Sequence, residues 1–480
     1  MKAIAPLLIA LLAGALATTA SAVPSENLPE LGDAASAIVS PEMEREIGQQ
    51  LLREVRAQVP TLDDPILDYY TDTSLARLAE HSDLKGTRLY PVLIDSPEVN
   101  AFAAPGGVVG INAGLYLTAQ DVNEYSAVLA HELSHLAQRH FARGIEMQQQ
   151  MTVPYIAAML ASIALAAAGG GQAGIAAISA TQAAAQAHVL SFSREREQEA
   201  DRTGIQTLYE AGLDPTAMAK MFDQMDRQYR FSQKIPEFLL DHPVTETRIS
   251  DAREQASKYP ARTYPDDPDF QLMKARVTVH YAPTPADAVQ QFKDAIDRSG
   301  GADWAYYGLA VALKRAGNPQ SALDTLKPLE PREEGSLLFA ATKAEMMIAS
   351  KEYRDAHGLL SSLLAINPDN KPLSLLDAEA LTGAGKPREA EAVLRRLSVG
   401  NADDINVWYQ LAETSGLAGN VVGVHLARAE YFALLGNFEK AIQHLQYARK
   451  LTDPSDFRAT AMIDQRVIDF RKEMEKIRKS

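Results

Sequence analysis

A period of 34 residues constrains the fold of the C-terminal part of this 480-residue chain more than any other feature. Alanines recur at this spacing from Pro283 onward, and a column of turn residues recurs in step with them. The two columns are Ala288, Ala322, Ala356 and Ala390, and Gly317, Lys351, Gly385 and Gly419. Small side chains allow two helices to cross closely, so each period predicts one helix–turn–helix unit. Units of this kind stack into an α-solenoid.

The period and the small residues at the helix crossing are the signature of tetratricopeptide repeats. The alanine column ends after Gly419, where Val424 replaces the expected alanine, and Gly436 to Ala441 restarts the turn pattern half a period later. The last part of the array is therefore predicted to be degenerate or to contain fused helices. The array is assigned to residues 269–480. It is predicted to bind extended segments or other proteins, and the alternative is that it only stabilises the preceding domain.

A second constraint is the motif His131-Glu132-Leu133-Ser134-His135, which lies in a segment of helical character predicted over Asn123–Arg143. Positions four apart share one face of a helix, so both imidazoles can reach one metal ion. Glu132 then lies beside the open coordination position, where it can take a proton from a bound water and pass it to a leaving amine. The motif therefore indicates a zinc peptidase rather than a structural zinc site, since structural sites favour four protein ligands, commonly cysteines.

A catalytic zinc site needs a third protein ligand, and the best candidate lies in the charged run 193–201. His140 is five residues past His135, off the face that carries the ligands, so it is not the expected third ligand. Glu197 and Asp201 are four apart on one face of a predicted helix. In this hypothesis Glu197 binds zinc, and Asp201 holds the other nitrogen of a ligating imidazole. The alternative is a solvated, charged helix face.

The region before the metal motif predicts two helices and three short strands. Apolar periodicity indicates helices over Pro41–Val59 and Asp64–His81. Leu89–Ile94 has the composition of a strand, and the apolar stretch that follows predicts two more strands around a glycine turn at Pro105-Gly106-Gly107. The chain up to residue 268 is therefore predicted to be an α+β domain.

One of these strands is predicted to bind substrate. Residues Asn100, Ala101 and Phe102 shortly precede the metal-binding helix. An exposed edge strand at this position can pair with an extended peptide through backbone hydrogen bonds, largely without regard to side chains. The alternative is an interior strand of the sheet.

The first 22 residues have the pattern of a secretory signal peptide. Lys2 is followed by an apolar run from Ala3 to Leu16 and by the cleavage motif Ala20-Ser21-Ala22. The run is short for a membrane anchor, which is the alternative. The chain has no cysteine, which excludes disulfides and thiolate metal ligands, and the signal predicts a periplasmic location. The net charge of −15 argues against nucleic acid as a partner.

A compositionally unusual segment lies within the predicted N-terminal domain, over residues 152–190. It is rich in alanine and is interrupted by Gly169-Gly170-Gly171. Each apolar half is shorter than the roughly 20 residues that span a bilayer, so spanning is not predicted. Two alternatives remain: a mobile or partly buried hairpin on the catalytic core, and a hinged pair of helices that contacts a membrane surface, a partner or substrate.

Three ordered motifs together resemble the minigluzincin peptidases, which include the HtpX membrane proteases and the CAAX-prenyl endopeptidases. The motifs are Asn100-Ala101-Phe102 with Pro105-Gly106-Gly107, the His131–His135 motif, and Glu197-x-x-Ala200-Asp201. The resemblance implies a fold that is mostly α with a small β-sheet: a zincin-like α+β metallopeptidase domain over residues 23–268, followed by the α-solenoid. It also implies one Zn²⁺ per chain, bound by His131, His135 and Glu197, with Glu132 as general base and acid.

The signal-like segment and the repeats narrow the resemblance to periplasmic members of the family. This implies a role in outer-membrane protein assembly and quality control, with unfolded or stalled β-barrel proteins as substrates. The outer-membrane β-barrel insertion machinery is then the expected partner of the repeat domain. The alternative function is a non-proteolytic assembly chaperone that acts through its repeats, and the two functions are compatible.

The segment Asp241–Ile249 also resembles the family. Arg248 is predicted to pair with a carboxylate or to stabilise the oxyanion of the tetrahedral intermediate; the alternative is a surface arginine on a helix. His242 lies on a loop after the ligand helix and can occupy the open zinc position, which would keep the enzyme latent until the loop moves. The alternative for His242 is a structural or substrate-contacting role.

Overall fold

The computed structural model describes residues 39–145, 194–231, 235–265, 267–332 and 335–479. The signal-like residues 1–22 and the glycine-interrupted segment 152–190 lie outside these ranges, so the interpretations of both remain predictions. Within the described ranges, no helix combines the length and the apolar composition that crossing a membrane would require.

The two predicted N-terminal helices are confirmed. Helix α1 (Pro41–Gln58) begins after Ser40, and α2 (Pro65–Glu80) begins after Asp64. Each capping side chain accepts hydrogen bonds from backbone N–H groups of the first turn. Proline fits the first position of both helices, because the N–H group that it lacks would have no partner inside the helix.

A three-stranded sheet follows, made of β1 (Tyr90–Ile94), β2 (Ala101–Ala104) and β3 (Val108–Asn112). Strand β3 lies in the centre, parallel to β1 and antiparallel to β2. The turn from β2 to β3 contains Gly106 and Gly107 at φ of 75° and 85°, a conformation that side chains disfavour. The three predicted strands are thus confirmed, and β2 lies at an edge of the sheet rather than in its interior.

The helix predicted over Asn123–Arg143 is wrong as a single element. Helix α3 (Gly114–Thr118) precedes the motif helix α4 (Val122–Ala137), and a separate helix α5 (His140–Ile145) follows. Between α4 and α5, Arg139 has a φ of 50°, in the left-handed region. That conformation costs about 1 kcal/mol for a residue other than glycine. Tertiary contacts of the Arg139 guanidinium offset this cost, with a hydrogen bond of 2.8 Å to the carbonyl of Val39 and an ion pair of 3.3 Å with Glu44.

Four helices follow within residues 194–257 of the described chain, and the first two of them pack against α4. They are α6 (Arg194–Glu210), α7 (Ala217–Tyr229), α8 (Glu237–Asp241) and α9 (Glu246–Ser257). Helix α6 approaches α4 closely because Gly204 places no side chain between them: a Cβ there would lie 3.2 Å from the backbone nitrogen of His131. The motif helix is therefore enclosed, and its residues from Val122 to His135 are all buried.

Twelve helices make up the described C-terminal part. They are α10 (Pro268–Tyr281), α11 (Pro285–Ser299), α12 (Asp303–Arg315), α13 (Pro319–Leu326), α14 (Leu337–Ala349), α15 (Tyr353–Ile366), α16 (Lys371–Gly383), α17 (Pro387–Gly400), α18 (Ile405–Leu417), α19 (Val421–Leu434), α20 (Phe438–Leu451) and α21 (Phe457–Lys479). A 3-10 turn, Lys327–Leu329, follows α13.

The repeat prediction is confirmed in both of its columns. The four alanines are fully buried where helices cross, and all four turn residues have left-handed φ angles between 65° and 78°. Lys351 adopts this conformation although it is not glycine, because its position in the repeat dictates the turn. In the degenerate part, Gly436 turns the chain between α19 and α20, so these two helices are separate rather than fused.

The repeats pack against the N-terminal half rather than extending away from it. One apolar core runs from α2 to α16, and α2 contacts both α14 and α16. Polar contacts reinforce this interface: Lys371 lies 3.2 Å from the carboxylate of Asp72, and Arg53 lies 3.2 Å from that of Glu473. Part of the surface of the array is therefore covered by the N-terminal half of the chain.

Candidate metal centre

Two histidines of α4 face a common point, as the motif predicts. The Nε2 atoms of His131 and His135 are 3.0 Å apart, and both side chains are buried. The carboxylate of Glu197, on α6, lies beside both nitrogens. Its Oε2 atom is 3.5 Å from Nε2 of His131, and its Oε1 atom is 3.5 Å from Nε2 of His135. The sequence-predicted ligands are thus brought together by the packing of two helices.

His242, which follows α8, completes a group of four. Its Nδ1 atom lies 3.3 Å from Nε2 of His131 and 3.1 Å from the Glu197 carboxylate. The four residues His131, His135, Glu197 and His242 offer ligand atoms that all lie within 4.8 Å of one another. Three imidazoles and one carboxylate form a donor set that suits Zn²⁺. Each residue of this group is at most 3% exposed, so the ligand atoms face one another rather than solvent, and a proton or a cation must lie between neighbouring lone pairs.

Asp201 lies one turn after Glu197 and holds the outer side of His131. Its Oδ1 atom is 2.9 Å from Nδ1 of His131, which leaves Nε2 directed at the centre of the cluster. Burial alone raises the pKa of Asp201, but hydrogen bonds from Arg248 and His131 hold that pKa below its ordinary value. Asp201 therefore stays ionised and can accept the His131 proton.

Arg248 lies on the first turn of α9 and is buried rather than on the surface. Its guanidinium donates to both oxygens of Asp201 at 2.8 Å and lies 2.9 Å from a carboxylate oxygen of Glu197. The same group also donates to the carbonyl of Pro243. Arg248 thus links α9 and the His242 loop to the two carboxylates of α6.

Glu132 is buried beside the cluster without being one of its four members. One carboxylate oxygen finds no hydrogen-bond partner among the described residues, and it lies 3.6 Å from Nε2 of His242. Burial raises the pKa of Glu132, although His242 and His131 counteract this rise. The backbone N–H of Ala103, on β2, donates to the Glu132 carboxylate. A carboxylate with a raised pKa is suited to accept a proton and release it again.

The edge strand β2 therefore lies directly beside Glu132. Of the residues predicted to bind substrate, Ala101 and Phe102 belong to this strand, and Asn100 immediately precedes it. Asn100 is 2% exposed, and neither polar atom of its amide has a hydrogen-bond partner in the described part of the chain. A buried amide without partners is uncommon in folded proteins.

His140 is a neighbour of the cluster that spacing alone did not reveal. It is not one of the four grouped residues, but the turn at Arg139 returns its ring to His135, with the two Nδ1 atoms 2.8 Å apart. On its far side, Nε2 of His140 lies 3.1 Å from the Glu199 carboxylate. A continuous helix would point His140 elsewhere, so only the break at Arg139 produces this contact.

Comparisons with known proteins agree with this geometry. A sequence model described as Peptidase family M48 matches residues 66–256, and a tetratricopeptide repeat model matches residues 347–413. The Beta-barrel assembly-enhancing protease of Escherichia coli strain K12 is 33% identical over 475 residues, which cover 96% of this chain and 95% of that protein. The protein of the same name from Yersinia pestis is 32% identical over 455 residues, which cover 94% and 93%.

A more distant relative is similar over about half of the chain. The Mitochondrial metalloendopeptidase OMA1 of Schizosaccharomyces pombe is 28% identical over 234 residues, which cover 47% of this chain and 64% of that protein. The resemblance inferred from the three motifs is confirmed by these matches. The bacterial relatives match this chain over nearly their whole length, and the two sequence models match its peptidase and repeat parts. This chain therefore belongs to the family of the beta-barrel assembly-enhancing proteases, within peptidase family M48.

Proposed function

We propose that this chain is a periplasmic zinc endopeptidase that degrades misfolded or stalled outer-membrane β-barrel proteins and also assists their assembly. The observation that carries the proposal is the buried cluster of His131, His135, Glu197 and His242 with the Glu132 carboxylate beside it. The names of the full-length relatives supply the substrate class, and their bacterial sources fit the predicted signal peptide.

The metal is proposed to be one Zn²⁺ held by His131, His135 and Glu197. Zinc bound there would act as a Lewis acid, which would polarise a substrate carbonyl and lower the pKa of a water molecule. Glu132 is the proposed general base and acid, since its buried carboxylate adjoins the cluster and its pKa is raised. Asp201 is proposed to fix the orientation of His131.

Substrate is proposed to bind as an added strand along β2. Backbone pairing at this edge would bring an extended peptide past Glu132, because Ala103 of β2 already contacts that carboxylate. The buried amide of Asn100 is proposed to bind the substrate backbone, which would supply the partners that it lacks in the described chain. Pairing of this kind would suit unfolded β-barrel strands of varied sequence.

His242 is proposed to occupy the open coordination position and to keep the enzyme latent. Catalytic zinc sites commonly have three protein ligands, and the grouping of His242 with the other three residues supports a role as a fourth, displaceable ligand. Movement of its loop would then be needed before substrate binds. Arg248 donates to Pro243, next to His242, so we propose that it positions this loop together with the two carboxylates. The second role proposed for Arg248 is to stabilise the oxyanion of the tetrahedral intermediate.

The repeat array is proposed to bind the outer-membrane β-barrel insertion machinery. The repeats and the relatives' name support a protein partner. A non-proteolytic assembly chaperone is the second candidate function. The presence of His242 in the cluster favours this function as long as the peptidase is latent. Peripheral membrane contact by residues 152–190 stays a prediction. Nucleic acid is not an expected partner, because the chain has a net charge of −15.

The test is cleavage of an unfolded outer-membrane β-barrel protein, and of casein, by the purified mature chain with its zinc content measured. Glu132→Gln should retain zinc but lose cleavage by at least about 100-fold, because the proton acceptor is removed. Glu195→Gln is the matched control, since Glu195 is exposed on α6. Full activity of Glu132→Gln would disprove the proposed mechanism. Retained assembly activity in that variant would support the chaperone function.

A further inference from the structure

We propose that His140 and Glu199 form a positioning relay that sets the tautomer and orientation of the metal ligand His135. The proposal rests on the proposed metal-binding role of His135. The two ring nitrogens of His135 point in opposite directions: Nε2 lies 3.0 Å from Nε2 of His131, inside the cluster, and Nδ1 lies 2.8 Å from Nδ1 of His140.

The direction of the hydrogen bonds follows from the chemistry of the three groups. A neutral imidazole carries one N–H, and a nitrogen that binds a metal must offer its lone pair. With Nε2 of His135 facing the cluster, its proton lies on Nδ1 and is donated to Nδ1 of His140. His140 then carries its own proton on Nε2, which is 3.1 Å from the Glu199 carboxylate and can be donated to it. An ionised carboxylate can only accept hydrogen bonds. Glu199 therefore fixes the direction of both hydrogen bonds, from His135 to His140 and from His140 to Glu199.

The surrounding residues hold this relay in place. Arg143 donates to the Glu199 carboxylate at 3.2 Å through two nitrogens. Arg196, from α6, donates to the backbone carbonyls of His140 and Arg143 at 3.4 and 3.3 Å. Helix α5 is therefore tied to α6 at His140 and at Arg143, and the side chain of His140 is fully buried.

The two ligands of α4 are supported in parallel ways. Behind His131, the carboxylate of Asp201 lies 2.9 Å from Nδ1 and is itself bound by Arg248. Behind His135, the carboxylate of Glu199 is reached through the ring of His140 and is bound by Arg143. Partners of this kind raise the basicity of a ligand and fix its ring, and their loss commonly lowers metal affinity by about 10- to 100-fold.

The experiment measures zinc affinity by competition with a chromogenic chelator on the full-length mature chain. His140→Ala should weaken zinc binding by about 10- to 100-fold. His140→Asn should restore most of the affinity, because its carboxamide oxygen can accept the proton of His135 in place of Nδ1. Glu199→Gln should lie between these two variants, and Glu195→Gln should match the wild type because its side chain is exposed on the same helix.

Additional readouts separate positioning from a purely structural role. Glu199 is 41% exposed, so Glu199→Gln should keep the circular dichroism spectrum and melting temperature of the metal-free protein while its zinc affinity falls. The visible spectrum of the Co²⁺-loaded protein should shift in His140→Ala and return in His140→Asn. Wild-type affinity in both His140→Ala and Glu199→Gln would overturn the relay alone. A wild-type chain that binds no zinc would overturn the proposed function as well.

Discussion

Arg248 donates two hydrogen bonds, each 2.8 Å long, to the two carboxylate oxygens of Asp201. Both side chains are buried, and Asp201 in turn lies 2.9 Å from Nδ1 of His131. Arg248, on α9, thereby fixes the orientation of a proposed ligand on α4, although 117 residues separate it from His131. The contact is bidentate, which lysine cannot reproduce.

Arg248→Met should therefore impair both stability and zinc binding. Removing one partner of a buried ion pair leaves the other charge uncompensated and costs about 3 kcal/mol of unfolding free energy. Zinc affinity should fall by about 10-fold or more, because His131 loses its fixed acceptor. Urea unfolding of the metal-free protein and chelator competition measure the two effects.

Arg253→Met, at an exposed position of α9, is the control and should change stability by less than about 1 kcal/mol. Equal zinc affinity in Arg248→Met and wild type would contradict the prediction.

His242→Ala should increase peptidase activity if His242 keeps the enzyme latent. Its Nδ1 atom lies 3.3 Å from Nε2 of His131, inside the cluster that we propose to bind zinc. If the His242 ring has left the cluster in about a tenth of the molecules, replacing His242 by alanine should raise kcat/KM by about tenfold. Initial rates on unfolded substrate at equal zinc content provide the measurement, and His81→Ala, at an exposed position at the end of α2, is the control. Unchanged activity in His242→Ala would argue against latency.

The acid stability of the chain should depend on Glu345 of α14. Burial alone raises the pKa of this group, but Arg276 and Lys314 bring the pKa of Glu345 down to about 2. The folded-state pKa is thus below the ordinary value of 4.5, so the group stabilises the fold fully above about pH 4.5 and loses this contribution as the pH falls towards 2. Glu345→Gln should cost about 3 kcal/mol at pH 7 and should flatten the pH dependence of unfolding in that window.

Urea midpoints measured between pH 2 and pH 7 test this dependence. Glu389→Gln is the matched control in the same array, because its ion pair with Lys386 is exposed and should contribute less than about 1 kcal/mol. An unaltered slope for Glu345→Gln between pH 4.5 and pH 2 would contradict the assignment.

Glycine substitutions should have opposite effects at two helical positions. In α1, a Cβ at Gly48 would lie 2.3 Å from the carbonyl oxygen of Pro105, in the turn that connects β2 to β3. Gly48→Ala should therefore destabilise the fold by about 2 kcal/mol and displace the edge strand. In α15, a Cβ at Gly358 would meet no atom within 4 Å, so Gly358→Ala should stabilise the fold by about 0.5–1 kcal/mol. Denaturant unfolding compares the two, and a Gly48→Ala variant as stable as wild type would contradict the close approach.

Features that depend on local spacing could be predicted from the sequence. The repeat helices follow from alanines and turn residues at a fixed period, because each unit places the same small side chain at the same helix crossing. The proposed ligands His131 and His135, and the pair Glu197 and Asp201, follow from the rule that positions four apart share a helix face. These inferences need only the periodicity of the backbone.

Other features depend on contacts between segments that are distant in sequence. The position of His242 in the cluster and of Arg248 on Asp201 depends on how α8 and α9 pack against α6. The edge position of β2 depends on strand order, which alternating hydrophobicity leaves open.

The break at Arg139 shows the distinction most clearly. The sequence by itself determined the repeat array, the metal motif and the carboxylate pair, because the backbone period relates their residues directly. Only the tertiary structure decided that the motif helix ends at Ala137 and that His140 returns to His135. The physical reason is that Arg139 adopts its left-handed conformation through contacts with Val39 and Glu44, about 100 residues earlier in the chain.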